Sequence, residues 1–329
     1  MIDTTTTNRR NLMLGAAALP LAGAAASAAG AAGAAVPAQQ GVLRPGIYRF
    51  KLGAFEVTSI LDGAVQLDGP HPIFGQNVTQ EDVANLAAEN FLPPTRMEIP
   101  FTNTLVNTGS ELILFDTGNG DNGRRPAAGN LVASLKSLGI EPGDITHVVI
   151  THFHGDHISG LTEGDQPTYP NAAYVIGAEE FNHWTAEELL SSESMRGRAE
   201  LVQKKVVPFA EKAKMIAPGE SVRSGIEAVN AFGHTPGHMV YHVESEGKRL
   251  LITSDTANHY VMSLQRPDWH VRFDMDKQAA ADTRRRIFGM LAADKIPFIG
   301  YHMPSPAVGY VEPMGDGFRY VAASYQLNL

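Results

Sequence analysis

Cysteine is absent from all 329 residues. The chain therefore has no disulfide, no thiolate metal ligand and no cysteine nucleophile, so any metal must be held by His, Asp or Glu. Long apolar runs are missing beyond the N-terminus, which excludes a multi-pass helical membrane protein. Positive charge is scarce. Against 35 Asp and Glu stand 26 Lys and Arg, a formal net charge of −9, and that balance disfavours nucleic-acid partners. No G-x-S-x-G elbow is present, which argues against a nucleophilic serine. The glycine-rich stretch 118–129 lacks the Gly-Lys-Ser/Thr ending of a phosphate loop.

Histidine and aspartate, by contrast, are concentrated. Thr151-His152-Phe153-His154-Gly155-Asp156-His157 reads H-x-H-x-D-H directly after the apolar run Val148-Val149-Ile150. The apolar run reads as a short buried strand, so the motif starts where a strand ends. Imidazole and carboxylate at this density suit zinc or a similar divalent transition metal rather than calcium or magnesium. On extended backbone His152 and His154 point the same way, because side chains repeat with period two. Asp156 and His157 follow the turn at Gly155 and face elsewhere, so the spacing predicts two ions side by side. A histidine-rich surface loop is the bland alternative, and four ligands at a strand end disfavour it.

Further ligands are expected downstream. His234 lies in the Pro/Gly turn Gly233-His234-Thr235-Pro236-Gly237-His238, which suits a ligand that must hold still; His238 is assigned a supporting role. Asp255 follows a strand expected over 249–253 and is placed to bridge two cations. His302 follows a strand over 296–299. Asp116, at the end of a strand over 111–115, is placed to hydrogen-bond the free nitrogen of a ligating histidine. Asp62-Gly63 reads as a turn. The loop 256–273 carries His259, Tyr260 and Trp269, and loops of that length tend to be functional. Trp184 is read as core or as the wall of an apolar pocket.

The rest of the chain alternates strands and helices. Further strands are expected over 47–52, 55–61, 103–107, 173–176, 226–229 and 239–244, with edge strands over 310–312 and 318–321. Helices are expected over 79–89, 130–138, 178–190, 196–214 and 276–293. Thr79 and Asp82 supply a cap for the first helix, and Arg284-Arg285-Arg286 in the last reads as a solvated face. Residues 1–38 read as a cleaved export leader: Arg9-Arg10 precede an Ala-rich apolar stretch that resembles a twin-arginine signal. Its removal implies a periplasmic or secreted product with no stable membrane anchoring. Residues 39–46 read as a linker and 47–329 as one domain.

The ordered set His152-x-His154-x-Asp156-His157, His234, Asp255, His302 resembles the metallo-β-lactamase fold superfamily over about residues 47–329. Within it, Tyr48-Arg49-Phe50-Lys51-Leu52-Gly53, Asp62-Gly63, Asn107-Thr108-Gly109-Ser110 and Gly317-Phe318-Arg319-Tyr320-Val321 are similar to the exported methyl parathion hydrolase group, with acyl-homoserine lactonases as near relatives. The resemblance implies an α/β fold, an αββα sandwich with a dinuclear metal site at one edge. It implies two Zn²⁺, or other divalent transition metals, per chain. His152, His154 and His234 would hold one ion and Asp156, His157 and His302 the other, with Asp255 bridging and Asp116 behind them. It further implies a small apolar substrate, a homodimer, and a pocket walled by aromatics, with Trp184 at a matching place and His259, Tyr260 and Trp269 as further candidates. The loop 118–129 departs from the family, carrying Arg124 and Arg125 and no aromatic.

The expected activity is therefore an exported dinuclear zinc hydrolase. It would cleave an apolar ester or lactone with a metal-bridging hydroxide, with Asp156 or Asp255 moving the proton. A phosphotriesterase is the alternative. Iron-dependent redox chemistry on this fold is disfavoured, since flavodiiron proteins usually carry Glu where His154 stands and persulfide dioxygenases use one iron. RNA processing on this fold is disfavoured by the acidic charge.

Overall fold

The computed structural model describes residues 38–39, 43–121 and 128–324. The leader expected over 1–38 falls, apart from its last residue, outside them, as do Arg124, Arg125 and residues 325–329. Residues up to Leu43 form one unit and Arg44–Leu329 another; all that follows concerns the second. None of the described helices is long and apolar enough to cross a membrane.

Two seven-stranded sheets form the frame. The first runs, in spatial order, Ile47–Leu52, Phe55–Asp68, Arg96–Asn107, Leu112–Phe115, His147–Ile150, Ala173–Gly177 and Lys214–Ile216. The second runs Ser221–Arg223, Ile226–Asn230, Met239–Ser245, Lys248–Ser254, Phe298–Gly300, Val308–Met314 and Gly317–Ala322. The short strands read as almost continuously apolar because both of their faces are buried. Ile113, Phe115 and Val149 face the core between the sheets, while Leu114, Val148 and Ile150 face an outer cluster. Helices Leu131–Ser137 and Arg196–Lys205 cover that outer face through Leu131, Leu135 and Val202. Helix Lys277–Asp294 packs on the second sheet through Ile287, Phe288 and Leu291. Each such side chain contributes roughly 1.5–3 kcal/mol on burial. The result is the αββα sandwich the sequence led us to expect.

Pairing direction positions the site. Leu112–Phe115, His147–Ile150 and Ala173–Gly177 are mutually parallel, and Lys248–Ser254 is parallel to Phe298–Gly300. Parallel neighbours end at the same edge. The residues just past four of these strands are Asp116, Thr151-His152, Asp255 and Tyr301-His302, and they meet along one edge of the sandwich.

Several expected elements differ. No turn forms at Asp62-Gly63: the strand runs through to Asp68 with a register shift between Leu61 and Gly63. The carboxylate of Asp62 instead accepts from the backbone nitrogens of Asn119, Gly129 and Leu131 at 3.0, 3.1 and 2.8 Å, anchoring the glycine-rich loop. The helix expected over 178–190 breaks into Ala178–Trp184 and Glu187–Ser191. The one expected over 196–214 ends at Lys205, and a 3₁₀ segment Val207–Lys212 begins with Pro208 in its first turn, which cannot continue the helical ladder. The loop 256–273 contains a short helix, Met262–Gln265.

Candidate metal centre

Two strand-end residues turn the chain into this edge through left-handed backbone, Asp116 at φ 60° and Ser254 at φ 44°. Conformations of this kind cost of order 1–3 kcal/mol outside glycine and persist where surrounding contacts hold them. Here the contacts converge on Thr151. Its backbone nitrogen and Oγ1 donate to Asp116 at 2.8 and 2.9 Å, and its hydroxyl lies 2.8 Å from Ser254 Oγ.

The metal-capable side chains fall into two groups, His152, His154, His234 and Asp255, and Asp156, His157 and His302. In the first, His154 Nδ1 lies 3.2 Å from His152 Nε2 and 2.9 Å from His234 Nε2. In the second, Asp156 Oδ2 lies 3.5 Å from His157 Nε2 and 3.6 Å from His302 Nε2. The carboxylate of Asp255 spans both groups. Its Oδ2 is 3.3 Å from His234 Nε2 and 3.0 Å from His302 Nε2, and its Oδ1 is 3.2 Å from His157 Nε2.

The outward ring nitrogens are fixed from behind. His302 Nδ1 donates to the carbonyl of Pro100 at 2.8 Å, which turns Nε2 inward toward Asp255. His157 Nδ1 lies 2.8 Å from Asp116 Oδ2 and His234 Nδ1 lies 2.8 Å from Asp274 Oδ1. Such partners set the tautomer and orientation of ligating histidines. His238 is used up differently: Nδ1 donates to Ala231 O at 2.9 Å and Nε2 accepts from the Asp255 backbone at 3.4 Å. It supports the strand end carrying Asp255, as the sequence suggested.

The residues fit a divalent transition metal on two observations. His157 Nε2 and Asp255 Oδ1, 3.2 Å apart where the two groups adjoin, are buried without a hydrogen-bond partner, a costly state for polar atoms. The donor set is imidazole and carboxylate only, which suits zinc and its neighbours. The electrostatics agree. Burial, reinforced by the neighbouring histidines, keeps His152 and His154 neutral. Burial also disfavours charge on His157 and His234, but there the carboxylates outweigh it; His157 is raised well above its ordinary value by Asp255, Asp116 and Asp156, and His234 to about 9 by Asp255 and Asp274. Burial pushes Asp156 upward, yet His157 outweighs it and the pKa falls to about 2. Protons on the histidines thus balance the carboxylates until a cation takes their place.

Three supports were not visible in the sequence. Asp274, behind His234, is held at 2.8 Å by Arg284, which also donates to Thr256 O at 3.0 Å and Pro267 O at 2.6 Å. Arg284 is fully buried, so the solvated face expected for the arginine triplet is corrected: it holds for exposed Arg286 and for half-buried Arg285, which pairs with Asp268, but not for Arg284, which reaches the loop carbonyls of Thr256 and Pro267. Glu180 is a buried carboxylate with four donors. Phe153 N and Trp184 Nε1 reach Oε1 at 2.9 and 2.8 Å, and Thr235 Oγ1 and Gly237 N reach Oε2 at 2.7 and 2.8 Å. It ties the H-x-H segment to the His234 turn. Gly237 is required there, since a Cβ would stand 2.1 Å from Glu180 N. Tyr301 stacks on His157 with centroids 3.9 Å apart and donates to the carbonyl of Asp156 at 2.6 Å. None of these has a local sequence signature; each is defined by contacts across long separations.

A cavity of about 480 Å³ opens on the centre, with His154, Asp156, Asp255 and His302 at its floor. Its apolar walls come from the ribbon in which Val65 and Leu67 pair near Ile99 and Phe101, and from Leu201 and Phe273. The aromatics expected to wall it do not. Trp184 is fully buried behind His154, ring centroids 6.4 Å apart, because its indole N–H is drawn to Glu180. Trp269 sits in the cluster of Ile73, Phe74 and Val83. His259 and Tyr260 stack on each other and line a separate cavity of about 570 Å³ that shares His302.

Comparison with known proteins places these features. The metallo-beta-lactamase superfamily model matches residues 102–297. A "probable metallo-hydrolase" of Mycobacterium tuberculosis is 30% identical over 186 residues, 47% of this chain and 56% of that protein. An N-acyl homoserine lactonase of Bacillus thuringiensis is 25% identical over 128 residues, 39% of this chain and 44% of the relative. The chain thus spans about half the length of these curated relatives. Among solved structures, AidC, a dizinc quorum-quenching lactonase in complex with a product, aligns with TM-score 0.76 at 25% identity, covering 85% of this chain and 98% of that one.

Proposed function

The chain belongs to the metallo-beta-lactamase superfamily, and we propose that it is a hydrolase of small esters or lactones that works with two divalent transition-metal ions, zinc foremost. The carrying observation is the pair of ligand groups spanned by the Asp255 carboxylate, with buried partnerless atoms on His157 and Asp255. His152, His154 and His234 would hold one ion, Asp156, His157 and His302 the other, with Asp255 between. Cations bound there lower the pKa of water and polarise a carbonyl oxygen.

The chain's own residues do the rest. Val65, Ile99 and Phe101 hold an apolar acyl part and exclude water. Asp156, whose side chain is 23% exposed at the cavity floor, moves the proton. Asp255 is buried and bonded to Asn258 at 3.0 Å, which suits a fixed ligand. A dizinc lactonase among the structural relatives supports the lactone reading. The leader with Arg9-Arg10 supports export.

The test is the initial rate of zinc-loaded protein on a medium-chain acyl-homoserine lactone, an aryl ester and an aryl phosphotriester. We expect the lactone or ester to be turned over with kcat/KM above roughly 10⁴ M⁻¹s⁻¹. A phosphotriester winning clearly would replace the ester reading with a phosphotriesterase. Undiminished activity in Asp255→Ala would refute the two-ion arrangement.

A further inference from the structure

Most described arginines are tied to a carboxylate or a carbonyl. Arg223 pairs with Glu111, Arg249 with Asp294, Arg285 with Asp268 and Arg319 with Glu312; Arg196 and Arg286 reach carbonyls. Arg198 and Arg272 make no side-chain hydrogen bond or ion pair among the described residues, and both line the cavity over the metal centre. They come from different elements, Arg198 from helix Arg196–Lys205 and Arg272 from the segment that Arg284 anchors. Arg272 lies 5.3 Å from the ring of Phe273, its own cavity neighbour. The neighbouring cation Lys277 is committed to the carbonyls of Val271 and Asp274 at 2.7 and 2.6 Å. Apart from Asp156 and Asp255 in the centre itself, no carboxylate among the described residues lines this cavity. Both residues are exposed, and in a chain of net charge −9 they are two uncommitted positive charges lining one cavity beside its apolar wall. Guanidinium groups match carboxylate and phosphate oxygens in geometry and remain charged at any working pH.

We propose that the substrate is amphiphilic: an apolar chain on the Val65–Phe101 ribbon, and an anionic group, remote from the bond that is cleaved, held by Arg198 and Arg272. This rests on the reading of the cavity as a hydrolase site, and it narrows that reading from neutral acyl compounds to ester or lactone substrates carrying a carboxylate or similar anion.

Two matched aryl esters test it, 4-nitrophenyl hexanoate and the 4-nitrophenyl monoester of adipic acid, which differ by a terminal carboxylate. Zinc-loaded full chain is expected to favour the charged ester at least tenfold in kcat/KM. The ratio should fall toward one in the R198Q/R272Q variant, hold in R198K/R272K, and shrink with added salt. A wild-type ratio at or below one overturns the proposal and leaves the hydrolase reading intact. Should neither ester be cleaved, the acyl-homoserine lactone assay decides the hydrolase reading, and binding decides this proposal separately. Calorimetric titration of 1-hexanesulfonate against 1-hexanol should give at least tenfold tighter binding of the sulfonate, lost in R198Q/R272Q; equal affinities overturn it.

Discussion

Asp274→Asn probes the support behind His234 with almost no change of shape. In the native chain Asp274 Oδ1 lies 2.8 Å from His234 Nδ1 and Oδ2 lies 2.8 Å from Arg284 Nη2, with both acidic and basic groups buried. Burial raises the carboxyl's pKa, but Arg284 and His234 outweigh it and keep Asp274 ionised. The amide can offer its oxygen to one partner only. With the oxygen toward His234, its NH₂ confronts the Arg284 guanidinium; flipped, it confronts the His234 N–H. In either case one charge-assisted hydrogen bond is lost and Arg284 keeps a buried charge without a counter-ion. Breaking a buried pair costs about 3–5 kcal/mol, and the carbonyls of Thr256 and Pro267 that still receive Arg284 put the expected loss near the lower end. Loss of a partner behind a metal ligand typically weakens metal affinity 10–100-fold. Urea denaturation of the metal-free variant measures the first effect, and zinc competition against a chelator the second. Adding Arg284→Met removes the stranded charge, so the double variant should be less destabilised than the sum of the two singles. Stability within about 0.5 kcal/mol of wild type, a change typical of a neutral surface site, together with unchanged zinc affinity, would refute this account of the relay.

Glu180→Gln removes one acceptor oxygen from a carboxylate that serves four buried donors. The freed desolvation cost of the charge offsets part of the loss, and we expect destabilisation of about 2–4 kcal/mol, read as a lower denaturation midpoint; a midpoint at or above wild type would show that the knot carries no weight. His259 is buried and its Nδ1 accepts from the backbone of Val261 and Met262 at 3.0 and 3.2 Å, and burial holds its pKa at about 4. The unfolded chain binds this proton from about pH 6.5 downward and the native chain does not. Its contribution is therefore complete above pH 6.5 and lost as the pH falls toward 4, about 3 kcal/mol over the window. Denaturation at pH 7, 5.5 and 4.5 should show a steeper loss for wild type than for His259→Asn; parallel profiles would mean His259 is protonated in the fold.

What the sequence determined is the part of the protein that is local in the chain. The H-x-H-x-D-H run after Val148-Val149-Ile150, the Pro/Gly turn at His234 and the aspartates just past strand ends are short-range patterns, and strand alternation decides which way such side chains point. The expected ligand set could therefore be named in order, and the structure brings those seven residues into two adjoining groups. The Thr79–Asp82 capping box was legible for the same reason.

Tertiary structure decided what lies behind and above the ligands. Glu180 meets Gly237 across 57 positions, and Asp274 meets His234 across 40; a lone acid in a helix or loop gives no sign of such a partner. Arg284 and Arg285 are neighbours in the chain, yet a rotation of about 100° around the helix axis buries the first and leaves the second half-buried. An indole satisfies a core and a pocket equally well, so the sequence leaves Trp184 open between the two, and the buried carboxylate of Glu180 fixes its side. The cavity walls were hidden for a similar reason. Val65, Leu67, Ile99 and Phe101 alternate like any strand, and it is the two-stranded extension beyond Leu61 that turns that face toward the metal edge rather than into the core.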